Sequence, residues 1–146
     1  MSRLIETKRA FDKVTTLLDQ EIRKKASNSK DLEKYRAIVE IAFYVLAFGQ
    51  FEYLVKREAN GIIDQNAALK TLDGRAWEIL QQKGDVPLRK LLELIFHTDQ
   101  KLLKSLNDSY SIRNDCVHGN QLLPKEAKDV GYFIQGLEEL VENFDR

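Results

Sequence analysis

Apolar residues recur along most of this chain at steps of three and four, which is the spacing of one face of an α-helix. The first such stripe predicts a helix that carries Leu4, Phe11, Val14, Leu18 and Ile22. A polar break follows at residues 26–31, where Asp31 suits the N-cap position of the next helix. No segment shows the alternation that is typical of a strand. The pattern therefore predicts an all-helical chain.

The second predicted helix, from Leu32 to Ala59, is the most apolar part of the chain. Between residues 38 and 48 its apolar side chains cover more than one face. We therefore expect this helix to be central, or shared between the core and a subunit interface. Asn60-Gly61 predicts its end, because glycine readily adopts the left-handed conformation that closes many helices.

Residues 62–83 are typical of two short helices. The second would begin at Asp73-Gly74 and place three apolar side chains against the core, those of Trp77, Ile79 and Leu80. Pro87 predicts the start of a further helix through residues 88–96, since proline is tolerated in a first helical turn.

The next helix carries a stripe that ends before Gly119-Asn120 and consists of Leu103, Leu106, Tyr110, Arg113 and Val117. Pro124 predicts the start of the last helix, with the stripe Val130, Phe133, Leu137, Leu140 and Phe144. Together the stripes predict a compact up-and-down bundle of five to seven helices, forming a single domain over residues 1–146.

Composition agrees with a soluble globular protein, at 43% hydrophobic and 32% charged residues. No stretch is as uniformly apolar as a bilayer crossing of roughly 20 residues requires, and the N-terminus makes a poor signal peptide. One cysteine cannot form an internal disulfide, so the expected compartment is the cytoplasm. Lysine plus arginine equals aspartate plus glutamate at 23 each, so any contact with nucleic acid needs a local patch.

Most catalytic signatures are missing from the sequence. It contains no phosphate-binding glycine loop, no G-x-S-x-G and no H-E-x-x-H. With two histidines and one cysteine, a zinc site is not expected, and neither is a cofactor. We interpret Cys116 as a small buried filler and His97 as structural or solvent-facing.

Arg113 is the unusual member of the stripe that contains it, because a guanidinium stands where an apolar residue is expected. A buried charge is costly without partners. Either a carboxylate such as Asp115 or Glu52 pairs with it, or it lines an anion-binding groove. His118 lies about 140° round the helix and about 7.5 Å along it.

The stretch Ser111-Ile112-Arg113-Asn114-Asp115-Cys116-Val117-His118-Gly119 resembles the R-x4-6-H motif of HEPN-family domains. That resemblance implies an all-helical domain with the motif near the junction of the last two long helices. It also implies a metal-independent endoribonuclease, in which two protomers build a composite site and the ribose 2′-OH attacks the adjacent phosphate.

The resemblance assigns roles to three residues. His118 would serve as general acid or base, Arg113 would balance the charge growing on the phosphate oxygens, and Asn114 would orient the phosphate or the imidazole. Some family members add an acidic residue from an earlier helix, for which Glu40 and Glu52 are candidates. The implied setting is a toxin of a toxin–antitoxin or phage-defence system. Its implied partners are RNA, a second copy of the chain and a nucleotidyltransferase-like antitoxin.

Two other hypotheses fit the same residues. A non-catalytic module of the same family would use the groove to bind RNA, a nucleotide or a protein. In a helical interaction protein without any site, Arg113 would form a buried ion pair and His118 would cap the helix.

Overall fold

The structure, a computed structural model, describes residues 3–25, 27–119 and 122–144. These residues form six α-helices and one short 3-10 helix, with no strand among them. The helices are α1 (Arg3–Arg23), α2 (Ser29–Ala67), α3 (Leu72–Lys83), α4 (Leu88–Ile95), α5 (Gln100–Gly119) and α6 (Val130–Val141). The predicted all-helical class and the number of helices are confirmed.

The end that the sequence predicted for the second helix is wrong. α2 runs on through Asn60-Gly61 to Ala67 and is 39 residues long. The reason is that Ile63 lies four residues beyond Ala59 and is buried with it, so the core stripe extends past the glycine. Residues 62–67, expected as a short separate helix, belong to α2.

α3 begins close to the predicted place. Thr71 is its N-cap, and the threonine Oγ1 accepts a hydrogen bond from the Gly74 backbone N–H at 3.0 Å. Trp77 and Leu80 are half-buried, but Ile79 is 58% exposed, so its predicted place in the core is wrong. α3 has 12 residues and one stripe that faces inward. Trp77 and Leu80 lie on this stripe because they are three residues apart, whereas Ile79 points away from it.

The last helix begins later than its proline suggested. Pro124 precedes a 3-10 helix (Lys125–Ala127), and α6 begins after Asp129, whose Oδ1 accepts from the Tyr132 N–H at 3.1 Å. Val130 and Leu137 are buried as predicted. Phe144 lies beyond α6 and packs at 6.2 Å from the Phe96 ring. The sequence predicted that α5 ends at Gly119-Asn120. Gly119 is the last residue of α5, and Asn120 lies outside the described residues.

The chain divides into two compact units. The first comprises Met1–Phe51 and Ser109–Asn143, and the second comprises Glu52–Asp108 and Phe144–Arg146. α1 packs against α6 in the first unit, whose largest fully buried side chains include Leu4, Tyr44, Phe48, Phe51, Val130 and Ile134. The second unit buries Val55, Ala59, Ile63, Leu88, Leu91, Leu92, Leu103 and Leu106.

α2 differs from the expectation that no segment is apolar enough to cross a membrane. By length and composition alone, α2 is long and apolar enough to cross a membrane. It is the one such helix in the described part of the chain. The cause is its second face. Besides the core stripe of Tyr44, Phe48 and Val55, the helix carries apolar residues on the side away from the core, among them Ile38 and Leu46.

Candidate functional site

The motif helix α5 leaves the protein core toward its C-terminal end. Along the predicted stripe, Leu103 and Leu106 are buried, Tyr110 and Arg113 are half-buried, and Val117 is 49% exposed. The predicted inward position of Val117 is therefore wrong, and its neighbour Cys116 is buried instead. Arg113 stands where the helix passes from the core to the surface, so its guanidinium is half-sheltered rather than fully buried.

Two aromatic rings hold the Arg113 guanidinium. Its Cζ lies 5.5 Å from the centroid of the Tyr110 ring and 5.9 Å from that of Phe48. The two rings are 5.7 Å apart and tilted by 31°. Each such cation–π contact contributes about 0.5–2 kcal/mol, with the larger values where water is excluded. The rings thus restrict where the guanidinium can lie.

Asn114 completes the local arrangement. Its Oδ1 accepts a hydrogen bond from Arg113 Nη1 at 3.1 Å. The Asn114 amide also carries two Nδ2 protons, which are hydrogen-bond donors. Of the three predicted site residues, the structure therefore brings Arg113 and Asn114 into direct contact.

The rings of Tyr110 and Phe48, here called the ring platform, pack against the core of the first unit. Phe48 is fully buried and packs edge-on against Phe51 at 5.9 Å. One turn earlier on α2, Tyr44 stacks on Phe133 at 4.1 Å, and its hydroxyl donates to the Ser109 carbonyl on α5 at 3.4 Å. Because Ser109 is one turn before Arg113, this bond fixes α5 beside the platform. Burial raises the pKa of the Tyr44 hydroxyl to about 12, so it remains a donor at every physiological pH.

His118 lies in the last turn of α5 and is exposed, as is Asp115. Within the described part of the chain its imidazole makes no hydrogen bond to a side chain or backbone group. Within one protomer, no hydrogen bond therefore joins His118 to Arg113 or Asn114 in the described residues. The imidazole is exposed to solvent.

The candidate acidic residues have other bonds. Glu40 forms an ion pair with Arg36, which also binds Asp19 of α1 at 2.7 Å. Glu40 thereby contributes to holding α1 against α2. Glu52 pairs with Lys56 at 2.8 Å on the same helix. Glu40 therefore bonds to an arginine that links two helices, whereas the Glu52 pair lies within one helix.

Cys116 and His97 behave as the sequence predicted. The Cys116 thiol is buried, and this burial, followed by the charge of Asp115, raises the thiol pKa above its usual range. His97 is exposed, with Nδ1 at 3.1 Å from the Leu94 carbonyl oxygen. In residues 3–25, 27–119 and 122–144, no group of three or more His, Cys, Asp or Glu side chains is arranged to hold a metal ion.

The sequence did not reveal the ring platform. Tyr110 is three residues before Arg113 on one helix, and that spacing could have indicated a contact. Phe48 comes from another helix, and its spacing there indicates only a core position, so nothing in the sequence links it to Arg113.

Comparison of the chain with protein-family models, with curated proteins and with solved structures found no match.

Proposed function

We propose that this protein is a metal-independent endoribonuclease whose site contains Arg113, Asn114 and His118 and is completed by a second copy of the chain. The observation that carries the proposal is the position of the Arg113 guanidinium, which two rings and the Asn114 amide oxygen hold at the edge of the core. A planar fork of donors fixed in this way suits a phosphate group.

The chemistry follows from what each group can do. The ribose 2′-oxygen attacks the neighbouring phosphorus, and the bond from phosphorus to the 5′-oxygen breaks. The products are a 2′,3′-cyclic phosphate and a free 5′-hydroxyl. Charge grows on the non-bridging oxygens, and Arg113 and the Asn114 amide protons stabilise it. His118 takes the proton of the 2′-OH or gives one to the leaving oxygen, and the His118 of a second copy supplies the complementary step.

The resemblance to HEPN domains extends this proposal to a biological setting. A small domain of this kind would act as a toxin in a toxin–antitoxin or phage-defence system and arrest growth by cleaving RNA. Its activity would be held in check by an antitoxin, for which a nucleotidyltransferase-like protein is the expected type.

A second candidate function is non-catalytic binding of RNA, a nucleotide or a protein at the same residues. One observation favours it, namely that within the described residues of a single protomer His118 forms no hydrogen bond with Arg113 or Asn114. In that case Arg113 would provide affinity through phosphate contact and no bond would be cleaved.

The test is incubation of the purified protein with total cellular RNA and with tRNA in EDTA. The variants are His118→Ala and Arg113→Ala, and the matched control is His97→Ala, which removes the only other histidine. We expect cleavage by the wild type and by His97→Ala. Loss of the imidazole should reduce the rate by about 10²–10⁴ and loss of the guanidinium by about 10²–10³.

Two results would contradict the proposal. Equal cleavage by all four proteins would place the activity elsewhere or in a contaminant. The other contradicting result is a folded wild type that cleaves neither substrate. RNA binding by the wild type and by Arg113→Ala then tests the second candidate. Loss of affinity, with a shallower salt dependence in the variant, would support the binding module.

A further inference from the structure

The second unit contains an open pocket with mostly apolar walls, here called the α3–α4 pocket. Side chains from α2, from α3, from α4 and from the segment between α3 and α4 line it, and they include Ile62, Trp77, Leu80, Val86, Leu91 and Leu94. Its volume is about 650 Å³. Pockets that hold small organic molecules range from about 300 to 1,000 Å³ and combine apolar walls with a few polar groups. The α3–α4 pocket has the size and the lining of such a site.

The walls of this pocket are side chains that the protein only partly covers. Trp77, Leu80, Val86 and Leu94 are all half-buried, so each packs on the core on one side and keeps apolar surface toward the pocket. Because the walls come from three helices, a molecule in the pocket is contacted from several sides and loses much of its contact with water. Burial of this kind favours a ligand with an apolar body.

Three lining residues are titratable, and all three are exposed, namely Lys90, Glu93 and His97. The Lys90 Nζ lies 3.4 Å from a carboxylate oxygen of Glu93, and both side chains are more than half exposed. An exposed pair of this kind contributes little to stability, so Lys90 can exchange Glu93 for the carboxylate of a ligand. The His97 Nδ1 lies 3.1 Å from the Leu94 carbonyl oxygen and so has a partner in its own chain.

The start of α4 adds positive potential on the side of the pocket where Lys90 lies. Pro87 is the N-cap and provides no side-chain cap, and the first turn of α4 contains no acidic residue. A helix start carries partial positive charge, which nothing in this first turn compensates. Glu93 lies one turn later on α4, and Asp85, before the cap, is exposed. The pocket is therefore more positive near Lys90 than near Glu93.

We infer that the α3–α4 pocket binds a small anionic amphiphile, that is, a carboxylate attached to an apolar chain or ring. The apolar body lies against Trp77 and Leu94, and the carboxylate accepts a hydrogen bond from the Lys90 ammonium. The apolar walls determine the kind of body, and the lysine beside an uncompensated helix start determines the sign of the charge. The inference does not depend on RNA cleavage, because the pocket contains none of the three residues of the proposed ribonuclease site.

The first test compares three probes that share one chain and differ in the charge of the head group: decanoate, decanol and decylamine. Each is titrated below its micelle concentration and followed by the fluorescence of Trp77, the only tryptophan of the chain, which lines the pocket. We expect saturable binding of decanoate. Its affinity should be about tenfold higher than that of decanol, because a charge-assisted hydrogen bond replaces a neutral one. Decylamine should bind more weakly than decanol.

The second test uses variants of the head-group contact. Lys90→Gln should lower the affinity for decanoate about tenfold and leave the affinity for decanol unchanged, since only the charged contact is removed. The matched control is Arg89→Gln, which removes the neighbouring cation of α4 but not a residue that lines the pocket. Because solvent screens exposed charges, this control should bind decanoate within about twofold of the wild type.

The third test uses variants of the wall. Leu94→Gln should weaken the binding of decanoate and decanol alike, because it places a polar group on the apolar surface. The matched control is Leu72→Gln, at a leucine that is 87% exposed and lies in the same unit. This control should bind both probes as the wild type does. Circular dichroism and the urea midpoint confirm that each variant is folded.

Four results would overturn the inference. One is a folded wild type that shows no saturable binding of decanoate, by Trp77 fluorescence or by calorimetry. Another is equal affinity for decanoate and decanol, or an affinity for decanoate that Lys90→Gln leaves unchanged. The third is tighter binding of decylamine, which would assign the pocket to a cationic amphiphile. The fourth is binding that Leu94→Gln does not weaken, which would place the ligand elsewhere.

Discussion

Replacing Gly61 by alanine should stabilise the protein. Glycine in the interior of a helix costs about 0.5–1 kcal/mol relative to alanine, because it loses more backbone freedom on folding. Gly61 lies inside α2, and a Cβ there would meet no atom within 4 Å. No new contact opposes the gain, so Gly61→Ala should raise the free energy of unfolding by about 0.5–1 kcal/mol.

Gly74 provides the matched comparison, because the same change there should have the opposite sign. A Cβ at Gly74 would lie 1.9 Å from the Leu69 carbonyl oxygen and 2.7 Å from its carbonyl carbon. Both are backbone atoms, so no side chain can rotate away and the turn before α3 must shift. Overpacking of this kind typically costs about 1–3 kcal/mol, which exceeds the helix-propensity gain. We expect Gly74→Ala to lower the free energy of unfolding by about 2 kcal/mol.

Both glycines and Trp77, the only tryptophan of the chain, lie in the second unit. Urea titration followed by Trp77 fluorescence therefore reports the part of the protein that contains both changes. The reasoning would be refuted if Gly61→Ala lowered the midpoint at an unchanged slope, which is the result expected of a glycine that ends a helix in the left-handed conformation. A Gly74→Ala variant as stable as the wild type would refute the steric argument.

Three further predictions concern the first unit. The pKa of Tyr44 is raised from 10.0 to about 12, so only the unfolded state ionises between those values, and stability should fall by roughly 3 kcal/mol across pH 10–12. Tyr44→Phe should flatten this part of the stability–pH curve, whereas Tyr53→Phe, at an exposed position, should not. Arg113→Lys keeps the charge but loses the planar fork, so kcat/KM for RNA cleavage should fall by about 10² with little change in the thermal midpoint, and an unchanged kcat/KM would contradict phosphate recognition by the guanidinium. Asp129→Ala removes the N-cap bond to the Tyr132 N–H and should cost about 1 kcal/mol of unfolding free energy in urea, while a change below 0.3 kcal/mol would show that water replaces the cap.

Helical periodicity predicted most of the fold because local spacing determines which residues share a face. The stripe from Leu4 to Ile22 gave α1 almost to the residue, and Pro87 marked the start of α4. The prediction was wrong at Gly61, where a local signal for a helix end competed with burial of Ile63. That burial comes from tertiary packing, which the spacing of one segment does not contain.

The candidate site, too, could be predicted only in part from the sequence. Arg113, Asn114 and His118 could be selected from the sequence because they stand on one helix in a short motif. The rings that hold the guanidinium include Phe48 from another helix, and contacts between helices are not visible in sequence spacing. The bond from Glu40 to Arg36 is a further example, because it gives a candidate acid a structural partner.

The sequence left two roles open for the apolar faces of α2. Apolar residues on more than one side predicted either a central helix or one shared with a subunit interface. Burial separates the two sides. Tyr44 and Phe48 belong to the core, whereas Ile38 and Leu46 are exposed.

The central claim is that the Arg113 and His118 site cleaves RNA by attack of the 2′-OH, without metal. The most direct measurement is the chemical identity of the new RNA ends, made by mass spectrometry of tRNA fragments after incubation with the protein in EDTA. The account predicts 2′,3′-cyclic phosphates and 5′-hydroxyls, which His118→Ala does not produce. New 5′-phosphate ends, cleavage that appears only when Mg²⁺ is supplied, or intact tRNA after incubation with the folded protein would contradict it.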